Sequence, residues 1–172
     1  MEVRVGILTV SDRSFQGTRA DTAGPALSAA IRQPGWTIQA TGVVPDEVES
    51  IIAKLIEWTD RGDIDVVLTT GGTGLAARDV TPEATLAIVQ RAVPGLAEAM
   101  RAASLKITPH AMLSRATAGI RGRTLVINLP GSPKGALENF QVIQSVLPHA
   151  VELLRGDPGA EAGHQAFRPE SA

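Results

Sequence analysis

A chain of 172 residues, 44% apolar and 20% charged, is long enough for one globular domain with a substantial core. A net charge of -2 argues against a general nucleic-acid binder, and the lack of any cysteine excludes disulfides, thiolate metal sites and a cysteine nucleophile. The three histidines, His110, His149 and His164, show no metal-ligand spacing; with no membrane-length apolar run and no cleavable leader, the expected location is the cytoplasm.

The first strand reads as Val3–Val10, buried and central, running into the polar loop Ser11-Asp12-Arg13-Ser14-Phe15-Gln16-Gly17. For Ser11 and Asp12, turn chemistry and a ligand role stand level at this point. Pro25 starts a helix over residues 26–33, and the roughly alternating Trp36–Val44 is a second strand. The next helix opens at Pro45-Asp46, with Asp46 as N-cap, Glu49 at capping-box spacing and an apolar stripe through Ile51, Leu55 and Trp58.

The stretch around which the chain is organised follows. Asp65-Val66-Val67-Leu68-Thr69-Thr70 reads as a buried parallel strand ending in Gly71-Gly72-Thr73-Gly74. Glycines lack a Cβ, so the backbone can turn sharply and aim successive N–H groups at one spot. Thr81-Pro82-Glu83 is a helix start, with Thr81 as N-cap; Asp79 lies two positions earlier, where the cap does not need it. Neither the spaced third glycine of a dinucleotide fold nor the Lys-Ser/Thr of a P-loop is present, so the loop belongs to another phosphate-handling class.

Beyond it, helices are expected over residues 82–91 and 96–106, and residues 110–115 fit either a short helix or a loop. Strands over residues 116–120 and Thr124–Leu129, joined through Gly122, make a hairpin and an antiparallel edge. Pro130-Gly131-Ser132-Pro133-Lys134 is a second strand–turn–helix junction, with Ser132 able to cap. Lys134 faces the positive end of a helix dipole, which suits either a bound anion or simple solvent screening. The helix continues to about Leu154, with Pro148 kinking or dividing it.

This order defines an α/β protein: a three-layer α/β/α sandwich with a mostly parallel sheet and one antiparallel edge hairpin. Residues 1–155 form the single domain, and residues 156–172 a flexible tail. Right-handed crossovers bring the loops at Ser11, Asp46, Gly71 and Pro130 to the carboxyl rim of the sheet, where ligands of open α/β sheets bind. Arg13, Arg78 and Lys134 suit phosphates there. The carboxylates Asp12, Asp46 and Asp79 would repel a phosphate unless a divalent cation lies between them, and Mg²⁺ takes one or two carboxylates with phosphate oxygens. The chemistry implied is phosphoryl or nucleotidyl transfer by positioning and charge neutralisation.

The motifs Ser11-Asp12-Arg13, Pro45-Asp46, Leu68 to Gly74, Arg78 to Thr85, Leu113-Ser114-Arg115 and Asn128 to Lys134 resemble, in order, the molybdenum-cofactor biosynthesis proteins of the MogA, MoaB and gephyrin G-domain type. The resemblance covers roughly residues 3–154. It implies a molybdopterin adenylyltransferase that joins the AMP part of ATP to molybdopterin and releases pyrophosphate, with Mg²⁺ required. Asp46 and Asp79 match the family's two functionally important acidic positions, which the resemblance makes catalytic and Mg²⁺-binding. Gly71, Gly72, Thr73 and Gly74 match its phosphate-holding loop. Ser11, Asp12, Arg13, Arg78, Thr81, Ser114, Pro130, Gly131, Ser132 and Lys134 match substrate-binding positions around one pocket. A homotrimer and hand-over to a MoeA-like insertase are implied as well. The alternatives are a binding-only paralogue or a partner-assembly module of the same fold.

Overall fold

The computed structural model describes residues 2–33 and 35–157. Six strands, β1 (Val3–Val10), β2 (Trp36–Val44), β3 (Val66–Thr70), β4 (Arg91–Ala92), β5 (Ala118–Arg121) and β6 (Thr124–Leu129), form one sheet in the order β2-β1-β3-β6-β5-β4. The first four in that order are mutually parallel, whereas β5 is antiparallel to β6 and β4 to β5. The antiparallel hairpin turns at Gly122, whose φ of 57° suits a tight turn. The expected three-layer sandwich is thus present.

Helices α1 (Asp12–Phe15), α2 (Ala23–Ile31), α3 (Val48–Asp60), α4 (Thr81–Ile88), α5 (Pro94–Leu105), α6 (Pro133–Ile143) and α7 (Leu147–Arg155) connect the strands. Alternation along β1 decides which helices lie on which face. Val3, Val5 and Ile7 join Leu27 of α2, Met100 of α5, Phe140 of α6 and Val151 of α7 in one core. Leu8 and Val10 join Leu55 and Trp58 of α3 and Ile88 of α4 in the other. Gly6 and Gly42 are the reason the Trp58 indole can lie flat on the second face: a Cβ on either would come within 2.9 and 3.2 Å of its ring. The other indole, Trp36, packs edge-on to Phe140 in the first layer, ring centroids 5.9 Å apart.

Several expectations are corrected. What reads as the polar loop after β1 contains the one-turn helix α1, started by Ser11, whose hydroxyl accepts from the Ser14 amide. Helix α3 begins at Val48 behind Glu47, so Asp46 is not its N-cap and no capping box forms. Helix α4 is preceded by Val80 and ends at Ile88, leaving room for the two-residue strand β4. Residues Pro109–Leu113 resolve to a 3-10 turn capped by the Thr108 hydroxyl. The last helix does divide, but through a 3-10 segment at Gln144–Val146 just ahead of Pro148. The expected tail, from residue 158 on, lies outside the described residues.

Candidate active site

Strands β1, β3 and β6 end side by side, so their following loops meet at one rim. Closeness at this junction requires glycine. A Cβ on Gly71 (φ 104°) would lie 2.2 Å from the Val10 carbonyl oxygen, and one on Gly72 (φ 64°) 2.3 Å from the Thr81 hydroxyl. Gly131 also packs tightly here, its Cβ position being 3.1 Å from the Gly71 Cα. The Gly71 amide donates to the Leu129 carbonyl at 3.2 Å, and the Thr70 hydroxyl to that of Pro130 at 2.7 Å. Behind the junction the buried Asn128 amide donates to the hydroxyls of Thr69 (3.0 Å) and Thr85 (2.8 Å), locking β6 to β3 and α4.

Four consecutive carbonyls of the glycine loop are held from behind. The Thr81 hydroxyl donates to Gly71 O (2.8 Å) and the Thr81 amide to Gly72 O (3.0 Å). The Arg115 amide donates to Thr73 O (2.9 Å) and its Nε to Gly74 O (2.7 Å). In a trans peptide the N–H points opposite to the preceding C=O. The amides of Gly72, Thr73, Gly74 and Leu75 are therefore turned away from these donors, as an anion-holding loop requires. Thr81, expected as a cap and a binding residue, is fully buried beneath the loop and acts by supporting it.

The carboxylates gather on the side of the loop facing β1. Asp12 and Asp46 exchange reciprocal bonds: the Asp12 amide donates to Asp46 Oδ2 at 2.7 Å, and the Asp46 amide to Asp12 Oδ1 at 3.0 Å. Arg78 grips Asp12 through Nε (2.5 Å) and Nη2 (2.9 Å). A hydrogen bond from Arg78, ahead of its charge, holds the Asp12 carboxyl below the usual range. Asp46 goes the other way. Burial is the main cause that raises its carboxyl above the ordinary value, and the negative charges of Asp12 and Asp79 add to that rise. Asp79 Oδ2 accepts from the Ala76 amide at 2.9 Å and lies 2.8 Å from where a Gly74 Cβ would be, while Asp46 Oδ1 lies 3.4 Å from the corresponding point on Gly72. The two acidic residues thus lean on the same loop two residues apart.

The rim holds two cavities, where one pocket was expected. A polar cleft of about 750 Å³ is lined by Ser11, Asp12, Arg13, Asp46 and Asp79, with Gly71, Gly72, Gly131 and Ser132 at its floor and edge. On the other side of the loop, a pocket of about 470 Å³ lies between α5, α6 and the 3-10 turn. Thr73, Gly74, Ser114, Pro130, Ser132 and Lys134 line it, against the apolar wall of Met100, Ala111 and Leu113. Arg78 belongs to neither cavity, bordering instead a solvent-facing hollow beyond Asp12. Lys134 is exposed, with Glu138 3.8 Å away, which agrees with solvent screening. Two residues of the rim have no role assigned from the sequence. Arg19, in none of the motifs, enters the polar cleft and donates to the Ser11 hydroxyl at 3.4 Å; Arg115, which belongs to the Leu113-Ser114-Arg115 motif, holds the loop.

Fold and rim together define an α/β domain with a glycine loop beside paired carboxylates at the carboxyl edge of its sheet. Comparison with known proteins gives the same class a family. Residues 6–149 match the family described as probable molybdopterin binding domain. The chain is 40% identical to the molybdopterin adenylyltransferase of Helicobacter pylori over 174 residues, 98% of each chain. It is 46% identical over 156 residues to the molybdenum cofactor synthesis protein cinnamon of Drosophila melanogaster; that match takes in 90% of the chain but only 26% of the longer protein. A crystal structure of the molybdopterin biosynthesis enzyme MoaB from Thermus thermophilus superposes with a TM-score of 0.85 at 52% identity, covering 91% of this chain and 98% of that one. The chain belongs to the molybdopterin-binding-domain family of molybdenum cofactor biosynthesis proteins, as its motifs led one to expect. Among the described residues no helix is long and apolar enough to cross a membrane.

Proposed function

We propose that the chain transfers the adenylyl group of ATP to molybdopterin. The observation that carries this reading is the glycine loop's position between the two cavities: Gly71 and Gly72 face the polar cleft, Thr73 and Gly74 the apolar-walled pocket. A flat heterocycle suits the pocket of Met100, Ala111 and Leu113. A polyphosphate suits the cleft, with Arg13 and Arg19 on its wall. A phosphate held on the loop amides is then shared by both ligands.

In the reaction, an oxygen of the pterin's terminal phosphate forms a bond to the α-phosphorus of ATP, and the bond to pyrophosphate breaks. The loop amides fix the attacking phosphate, and Arg13 and Arg19 offset charge on the departing pyrophosphate. The site residues fit Mg²⁺. Asp46 and Asp79 line one cleft, and Mg²⁺ characteristically binds through one or two carboxylates, completing its shell with phosphate oxygens and water. Asp46 and Asp79 would hold it, and the ion would supply neutralisation of polyphosphate charge. The reading extends to a homotrimer and to delivery of the product to a MoeA-like insertase; a mass of three chains by light scattering would support the first.

The test is pyrophosphate release from ATP, Mg²⁺ and molybdopterin by the purified chain. Turnover that needs all three supports the proposal. Tight molybdopterin binding without pyrophosphate release replaces it with a binding-only paralogue.

A further inference from the structure

Two residues hold the four carbonyls of the glycine loop, and one of them, Arg115, also holds the backbone of Asp79. Arg115 takes Thr73 O with its amide and Gly74 O with Nε; its Nη2 donates to the backbone carbonyl of Asp79, and its Nη1 to the carboxylate of Glu83 on α4. One guanidinium thereby joins both ends of the segment from Gly74 to Asp79. Apart from Arg115, that segment is held by its own turn and by one side-chain pair. Leu75 is 64% exposed, the Asp79 amide donates to the Ala76 carbonyl and the Ala76 amide to Asp79 Oδ2, both at 2.9 Å, and Arg78 reaches across to Asp12. Arg115 is itself braced, because Arg101 of α5 donates to the flanking carbonyls of Ala116 (2.8 Å) and Ser114 (3.4 Å). Glu83 anchors the far side, and the hydrogen bond from Arg115 holds its carboxyl below the usual range.

We infer that Arg115 is the positioning residue of this active centre: without touching either substrate, it aims the Gly74 and Leu75 amides and holds Asp79 at the mouth of the cleft. Arginine is the residue that fits. Its rigid fork presents donors in several directions at once, whereas a lysine ammonium is a single point charge on a flexible stem. Misplacing a catalytic group by about 1 Å costs on the order of 10²-fold in rate. The inference rests on the proposed adenylyl transfer only for its kinetic arm.

The experiment pairs amide hydrogen exchange with steady-state kinetics on Arg115→Lys. Exchange at the Ala76 and Asp79 amides should accelerate about tenfold or more, while strand β6 keeps wild-type protection. In the pyrophosphate assay kcat should fall about 10²-fold, with KM for ATP within about threefold and KM for molybdopterin raised, because the loop amides that Arg115 aims carry that affinity. Glu83→Gln, which loosens the guanidinium's anchor, should give a smaller change of the same kind and add nothing to Arg115→Lys. Unchanged exchange at Ala76 and Asp79 overturns the inference, as does faster exchange with wild-type kcat, which confines Arg115 to a structural role. If Arg115→Lys does not fold, Glu83→Gln decides: unchanged loop exchange and kcat there overturn it too. A wild-type chain that releases no pyrophosphate removes the proposed function, while the exchange result alone still decides whether Arg115 holds Asp79.

Discussion

Asp65 and Asp46 are carboxylates at opposite edges of the same sheet, and their surroundings differ in the supply of donors and in the sign of the neighbouring charges. Asp65, at the entry to β3, receives Arg4 through its amide and guanidinium (2.9 to 3.0 Å) and Arg155 of α7 at 2.6 and 3.1 Å. Burial alone would raise its carboxyl, yet hydrogen bonds from Arg4 and Arg155 outweigh burial and hold it below the usual range. At the exit edge, Asp46 has one backbone amide for a partner and two like charges for neighbours, and its carboxyl is raised. A saturated carboxylate ties strands and a helix together. A carboxylate left short of donors keeps its capacity for a cation, at a cost to the fold.

Mutations at the rim should separate activity from stability most sharply. Asp79→Asn is expected to lose about 10²–10³-fold in kcat, with molybdopterin affinity retained, since that affinity depends on the glycine loop and the pocket beyond it. Asp46→Asn should lose a comparable factor yet hold or raise the midpoint of thermal unfolding at neutral pH. The sign follows from linkage: a carboxyl raised in the folded state stabilises it when protonated, and that contribution is lost as pH rises through the folded value. A lowered melting temperature in Asp46→Asn at pH 7 would break the comparison.

Asp65→Ala should show the reverse, about 3 kcal/mol of lost stability from two guanidiniums left without their partner, and an unchanged kcat. Because the folded Asp65 carboxyl is lowered, its contribution is full above the unfolded value and disappears as pH falls through the folded one. Acid unfolding followed by circular dichroism should accordingly begin at a higher pH and be less steep in Asp65→Ala. The smallest effect is expected from Arg78→Ala. It removes an attraction that lowers the Asp46 carboxyl, so the acid limb of the kcat/KM profile should move to higher pH. An acid limb that stays in place would mean that Asp46 does not set it.

Much of this contrast was legible in the chain. The bounds of β1, β2 and β6 follow from apolar or roughly alternating runs rich in β-branched residues, and the glycine cluster after Thr70 marks the loop whose φ values require it. Asp79 stood out because no cap needed it. Elements fixed by partners far along the chain were hidden. Strand β4 exists only because Arg91 and Ala92 meet Ile120 and Gly119. Asp46 looked like a cap because its spacing to Glu49 suits one, but an amide from Asp12, 34 residues away, claims its carboxylate. Thr81 was displaced from its cap position by the Gly71 carbonyl. The division of the rim into two cavities arises where α5 packs on α6, which periodicity does not report.

The two indoles give the fold an optical consequence. The chain contains two tryptophans and no tyrosine, and these tryptophans sit in opposite helical layers, Trp58 pressed on Gly6 and Gly42 and Trp36 edge-on to Phe140. Near-ultraviolet emission therefore comes from two separable beacons. Replacing either with phenylalanine leaves a single lamp on one side of the sheet, so loosening of each layer during denaturation can be watched by itself.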